Sequence, residues 1–142
     1  MKKVFYESWI AKHLLFKGYT TITLLAWVLT AWTKEEAKQS VINHECVHAR
    51  QWIELTVAAG ALLWLGMLVF GFSPWCLLIA TAVFYVWYII EAFIRWIIGF
   101  GKKDYSAYHN ISFEREAKLA EYDNNYLENC VYFDWLQFYK EK

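Results

Sequence analysis

The chain has 142 residues, room for one domain, and at 58% hydrophobic with only 20% charged residues it is not a disordered segment. Fourteen Lys and Arg balance fourteen Asp and Glu, so no net positive field is available to hold a polyanion and nucleic acid is not expected as a partner. A single proline favours long uninterrupted helices, and the three scattered cysteines, Cys46, Cys76 and Cys130, fit no disulfide framework and point to a reducing compartment.

The first stretch, 1–33, reads as a β-hairpin. Trp9–Phe16 and Tyr19–Trp32 are rich in Thr, Val, Ile, Leu and aromatics and are joined at Lys17-Gly18. Tyr19–Trp32 is uncharged throughout but short for a bilayer crossing, so strand is the preferred reading, with a third, tilted span as the alternative. A helix is expected to start near Thr33, where Thr-Lys-Glu-Glu supplies a capping threonine followed by acidic residues. It occupies 34–54 and runs on without a breaker into the next segment.

From Leu55 to Ile90 no Asp, Glu, Lys or Arg occurs, a run of 36 residues. As one helix it would be about 54 Å long, far more than the roughly 30 Å of a bilayer core. Gly71-Phe72-Ser73-Pro74 interrupts it, because glycine followed by an X-Pro step ends one helix and proline can open the next. The segment 55–98 is therefore a helical hairpin with arms at roughly Leu55–Phe70 and Trp75–Ile98, and hydrophobicity around the whole circumference makes it transmembrane. Lys34, Lys38 and Arg50 precede it, Arg95, Lys102 and Lys103 follow it, and the turn carries no basic residue, which sets both termini in the cytoplasm. Glu91 and Arg95 are four apart and can pair on one helix face. The remainder, 99–142, is a polar exit loop, an amphipathic helix from about Ser112, a break near Asp123-Asn124-Asn125 and a last helical stretch with aromatics on one side.

The chemistry is concentrated in His44-Glu45-Cys46-Val47-His48, an HExxH pattern inside the long helix. At about 100° per residue the two histidines fall on one face and can reach a single ion. Glu45 lies to their side, where it can touch a water and act as general base, and Cys46 points away and is read as packing. A hydrolytic Zn²⁺ needs a third protein ligand and an open position. An antiparallel hairpin returns the chain to the side from which it left, which brings Ser112–Lys118 beside the histidines. Glu114 and Glu116 are two apart on a helix, so only one of them can face the ion.

The HECVH helix running into an apolar arm, followed downstream by Glu114-Arg115-Glu116-Ala117, resembles the glutamate-zincin metallopeptidases, particularly their membrane-embedded processing, quality-control and sensor types. It also resembles a group of small bacterial HExxH proteins over perhaps residues 15–140. The resemblance implies Glu114 as third ligand, with Glu116 the alternative. Lys118 stands where the family usually carries Asp, which departs from the expected carboxylate beside a ligand histidine. Di-iron alternatives need about eight histidines or a second Glu-x-x-His, and the chain has four histidines and no second motif. His109 could replace a glutamate as third ligand but ranks behind both, and His13 reads as a strand or surface residue.

The expected protein is mainly α, a single domain over 1–142. A transmembrane hairpin is continuous with the HExxH helix, and the N-terminal β-hairpin and C-terminal helices form a small zincin-like head. The expected function is hydrolysis of peptide bonds in a peptide or protein substrate at the cytoplasmic face of the bacterial inner membrane. His44, His48 and Glu114 would hold Zn²⁺ and Glu45 would be catalytic. Tyr108, His109, Arg115 and Tyr122 are candidate transition-state stabilisers, and an edge strand from Tyr19–Trp32 could pair with substrate backbone. Other readings are a membrane protein with a closed structural zinc site and an interaction subunit that binds no metal. The high aromatic content leaves room for a lipid-facing homodimer.

Overall fold

The structure, a computed structural model, describes residues 3–15 and 19–139. The fold is mainly α, with a three-stranded N-terminal sheet, a hairpin of two long apolar helices and a set of short C-terminal helices. The sheet contains β1 (Val4–Phe5), β2 (Thr21–Leu24) and β3 (Trp27–Thr30) in the order β1-β3-β2, with β1 parallel and β2 antiparallel to the central strand.

The β-hairpin is therefore placed differently from the sequence expectation. Tyr19–Trp32 is neither one strand nor a third span; it folds on itself at Leu25-Ala26, with Thr21 opposite Thr30 and Leu24 opposite Trp27. Trp9–Leu14 is a helix, α1, whose Ser8 N–H reaches Thr30 O at 2.9 Å. β1 and β2 take both sides of β3, so Trp9–Leu14 does not pair with the central strand and closes its bonds locally as a helix. Phe16, Lys17 and Gly18, the expected end of one strand and its turn, lie outside the described residues.

Thr33 and Glu36 form a capping box, Thr33 N–H to the Glu36 carboxylate at 3.2 Å and Glu36 N–H to Thr33 Oγ1 at 3.3 Å. It closes a single turn. Lys38 is then extended, and α2 begins at Gln39 and runs to Phe70. Gly71 ends α2 in the left-handed conformation, φ 68°, and donates its N–H to Met67 O at 3.0 Å. After a short 3-10 turn, Pro74–Cys76, the second arm α3 spans Leu77–Gly99. These two helices are long and apolar enough to cross a membrane.

Beyond α3 come a 3-10 turn at Tyr108–Asn110, α4 (Ser112–Ala120), α5 (Tyr126–Asn129) and a terminal 3-10 helix, Asp134–Tyr139, where an ordinary helix was expected. Among the described residues the head packs through three buried clusters, one of them Val28 of the sheet against Ile42, Cys46 and Ala49 of α2. Leu55 and Phe84 of the hairpin meet Ile111, Phe113 and Trp135, and Val47 meets Ala117 and Ala120. Small alanines on α4 allow its backbone to approach α2 closely, which brings the acidic face of α4 within reach of the HExxH residues.

Glu91 is the joint between arm and head. Its buried carboxylate accepts from Ser112 N–H at 2.9 Å, Ser112 Oγ at 2.6 Å, Tyr139 Oη at 2.5 Å and Arg95 at 3.2 Å. The expected pair with Arg95 is present, and the same carboxylate also satisfies an N–H at the start of α4.

Candidate metal centre

His44 and His48 project from one face of α2, and their Nε2 atoms lie 3.1 Å apart. Glu114, in the first turn of α4, meets both: Oε2 is 3.3 Å from His44 Nε2 and Oε1 is 3.2 Å from His48 Nε2. The three residues form a group that can hold a metal ion.

The far nitrogens explain why the near ones face inward. His44 Nδ1 lies 2.9 Å from a Glu121 oxygen, and His48 Nδ1 lies 2.8 Å from Gln51 Oε1. Both partners are acceptors, so a neutral ring at either position would carry its proton on Nδ1 and direct Nε2 toward the other ring and toward Glu114. Two imidazole nitrogens and a carboxylate converging here can hold a cation. A tetrahedral ion with bonds of about 2.0–2.1 Å separates its ligands by roughly 3.3 Å, close to the spacing of these donors.

Burial opposes ionisation of Glu114, yet the adjoining imidazoles of His44 and His48 and a hydrogen bond from Tyr108 hold its carboxyl well below the usual carboxylate range. Tyr88 donates to it as well, at 2.6 Å. Burial and the bond to Glu114 push the Tyr108 phenol up, so it stays a donor.

Glu116 faces elsewhere. Gln51 spans the gap between His48 and this second carboxyl, donating to Glu116 at 2.8 Å and to Phe113 O at 3.1 Å. Burial pushes Glu116 up to about 7, opposed by the Gln51 bond and helped by the charges of Glu54 and Asp134.

Glu45 is fixed from the sheet: Thr23 Oγ1 lies 2.7 Å from its carboxylate and 2.8 Å from its carbonyl oxygen. Strand β2, an outer strand of the sheet, therefore runs beside the candidate base.

A cleft of ≈ 370 Å³ opens onto two of the three donors, His44 and Glu114, and is lined further by Tyr108, His109, Lys118, Glu121 and Tyr122. Of the candidate stabilisers it includes Tyr108, His109 and Tyr122. Arg115 is not among them; its guanidinium reaches Phe138 O at 3.3 Å and lies over the Phe138 ring, because one residue past Glu114 a helix has turned by about 100°. His109 is on a 3-10 turn with Nδ1 2.9 Å from Ser106 Oγ, apart from the donor group. His13 is an exposed residue of α1, stacked on Trp9. Cys46 packs with Val28, Ile42 and Ala49, where a larger cavity of ≈ 960 Å³ lies on the other side of α2.

Two residues of the site escaped the sequence reading. Glu121 supplies a carboxylate to a histidine where Lys118 had suggested its loss, and its spacing of seven from Glu114, two helical turns, is the signal that could have found it. Gln51, three after His48, lies on the same face by the same periodicity.

These features define a mainly α protein with two candidate membrane helices and a His-His-Glu group able to bind a metal. Comparison with protein-family models, curated proteins and solved structures returned no significant match.

Proposed function

We propose that the protein is a membrane-anchored, zinc-dependent metallopeptidase. The observation that carries this reading is the convergence of His44 Nε2, His48 Nε2 and the Glu114 carboxylate within 4.8 Å, beside a cleft, with both imidazoles backed by acceptors. Two nitrogens and one oxygen in a compact group suit zinc better than the oxygen-rich sets of magnesium or calcium. Zinc, when bound there, supplies a Lewis acid for a scissile carbonyl and lowers the pKa of a water.

The chain's own residues account for the rest. Glu45, steadied by Thr23, takes a proton from the attacking water and returns it to the leaving amine. Tyr108, on the cleft wall, offers a phenolic O–H to developing negative charge on the substrate oxygen. The free side of β2 offers backbone N–H and C=O groups to an extended peptide. An open cleft at the donors supports catalysis over a closed structural site. The two apolar helices support anchoring, and an inner-membrane setting with cytoplasmic termini follows from the distribution of basic residues.

The test is Glu45→Gln in purified protein with zinc content and casein-type peptide hydrolysis measured together. Retained zinc with turnover lost is expected. Full turnover in the variant would sink the mechanism, and absence of bound metal in wild type that persists after zinc is supplied would sink the site.

A further inference from the structure

The sheet leaves large apolar residues exposed on the face turned away from α2. Ile22 pairs with Leu29, Leu24 with Trp27 and Phe5 with Leu29, so these five residues share one face, while Thr23 and Val28 share the other and turn toward α2. A sheet with one face in water carries its apolar residues inward. On the inner face Thr21, Val28 and Thr30 are buried at 7%, 1% and 0% exposure; on the outer face Leu29, in the central strand, is buried at 5%, while Phe5, Ile22, Leu24 and Trp27 around it are 38–48% exposed. No charged residue occurs in any of the three strands.

The position of this face is fixed by a hydrogen bond. Leu25 N–H, at the tip of the β2–β3 turn, donates to Tyr85 Oη at 2.7 Å. Tyr85 is the ninth residue of α3, about 12 Å from its start and about 21 Å from its end. Tyr88, which donates to Glu114, is the middle residue of that helix, about 16 Å from each end. Past Tyr88 the helix carries the Glu91–Arg95 pair on one side and exposes Ile89, Ile90, Phe93, Ile94 and Ile97. The tip of the sheet and the metal donors thus meet α3 three residues apart, at Tyr85 and Tyr88, and exposed apolar residues of α3 continue beyond both.

We propose that the outer face of the sheet, formed by Phe5, Ile22, Leu24 and Trp27, is a lipid-contacting surface, and that bilayer hydrocarbon extends past the metal centre instead of ending above it. The proposal rests on the membrane reading of the hairpin. Lipid is favoured over a protein partner because the same apolar exposure continues onto α3, whereas a protein-binding patch has a polar rim. It places the head at a different depth from the surface location expected from sequence.

The experiment uses the full chain in phosphatidylcholine/phosphatidylglycerol vesicles, with native cysteines replaced by alanine and nitroxides attached at Leu24→Cys, Trp27→Cys, Leu68→Cys on an arm and Glu35→Cys in the polar turn. Collision with oxygen and loss of collision with a water-soluble nickel chelate are expected at 24, 27 and 68, with the reverse at 35. Nickel access at 24 and 27 with lipid signature at 68 overturns the proposal and leaves the membrane hairpin standing. Protection from both agents at 24 and 27 overturns it in favour of a protein contact. Nickel access at 68 overturns the membrane reading and the proposal together. An unlabelled check is quenching by brominated lipid, in which Trp27→Phe should lower the quenched fraction of tryptophan fluorescence; an unchanged fraction counts against the proposal.

Discussion

Glu121 holds His44 from behind, its carboxylate 2.9 Å from Nδ1, while Glu114, two turns earlier on the same side of α4, approaches the same ring at Nε2 from 3.3 Å. α4 and the residue that follows it thus supply both a candidate metal donor and an acceptor behind a second candidate donor. Removing the orienting carboxylate leaves the ring free to rotate and to move its proton. Glu121→Ala should weaken zinc binding by about 10–100-fold, read by competition with a chromophoric chelator. Glu121→Gln retains an acceptor oxygen and should lose less; equal affinity of wild type and Glu121→Ala would remove Glu121 from the site.

Thr23 donates to the Glu45 carboxylate across the gap between sheet and helix. Valine has nearly the same shape but no hydroxyl. A hydrogen bond to a charged group contributes about 1.5–3 kcal/mol, so Thr23→Val should lower kcat roughly tenfold or more, with zinc content and KM little changed. A loss confined to KM would assign Thr23 to substrate binding.

Gln51 links His48 to Glu116 in the interior. Gln51→Leu leaves both groups short of a partner and should cost about 1–3 kcal/mol of stability, measured by thermal unfolding in detergent. Metal affinity should fall in parallel, because His48 loses its Nδ1 acceptor.

Glu116 gives the metal-stripped protein a pH signature. Its carboxyl sits near 7 in the folded chain against an ordinary value of 4.5, so between these limits the folded state keeps a proton that the unfolded chain has released. Stability is fully present below about 4.5, declines as pH rises toward about 7 and levels off above it. Glu116→Gln should flatten that decline. Unfolding temperatures of both proteins across pH 4–8 give the comparison, and parallel curves would show that Glu116 does not carry the effect.

Glu91 ties α3 to the first residue of α4. Glu91→Ala removes the acceptor for Ser112 and Tyr139 and leaves Arg95 without its partner carboxylate, a loss of about 3–5 kcal/mol. Because Glu114 lies one turn into α4, zinc affinity should fall as well. Glu91→Gln keeps an oxygen for Ser112 and should be the milder variant by both measurements.

What could be read in advance was local. The break at Gly71-Phe72-Ser73-Pro74 follows from the backbone limits of glycine and proline, and the shared face of His44 and His48 follows from helical periodicity, so neither depends on distant partners. The capping box at Thr33 formed as its residues imply, yet the chain breaks at Lys38 before α2, and nothing within the box announces this. The β2–β3 turn was invisible for a clear reason. Leu25 adopts φ 57°, a conformation that leucine seldom takes, and its N–H is held by Tyr85, sixty residues away. Arg115 contacts Phe138, from the far end of the chain, a pairing that local spacing does not announce.

By itself, then, the amino-acid order determined a mainly helical chain, an apolar hairpin with a defined break and two imidazoles one turn apart, all set by intervals of a few residues. Tertiary structure alone decided which carboxylate meets those imidazoles, which groups stand behind them and which face of the sheet is exposed. Each of these depends on how closely Ala117 and Ala120 let α4 approach Val47 and on where Leu25 meets Tyr85, contacts between segments whose separation along the chain carries no periodic signal.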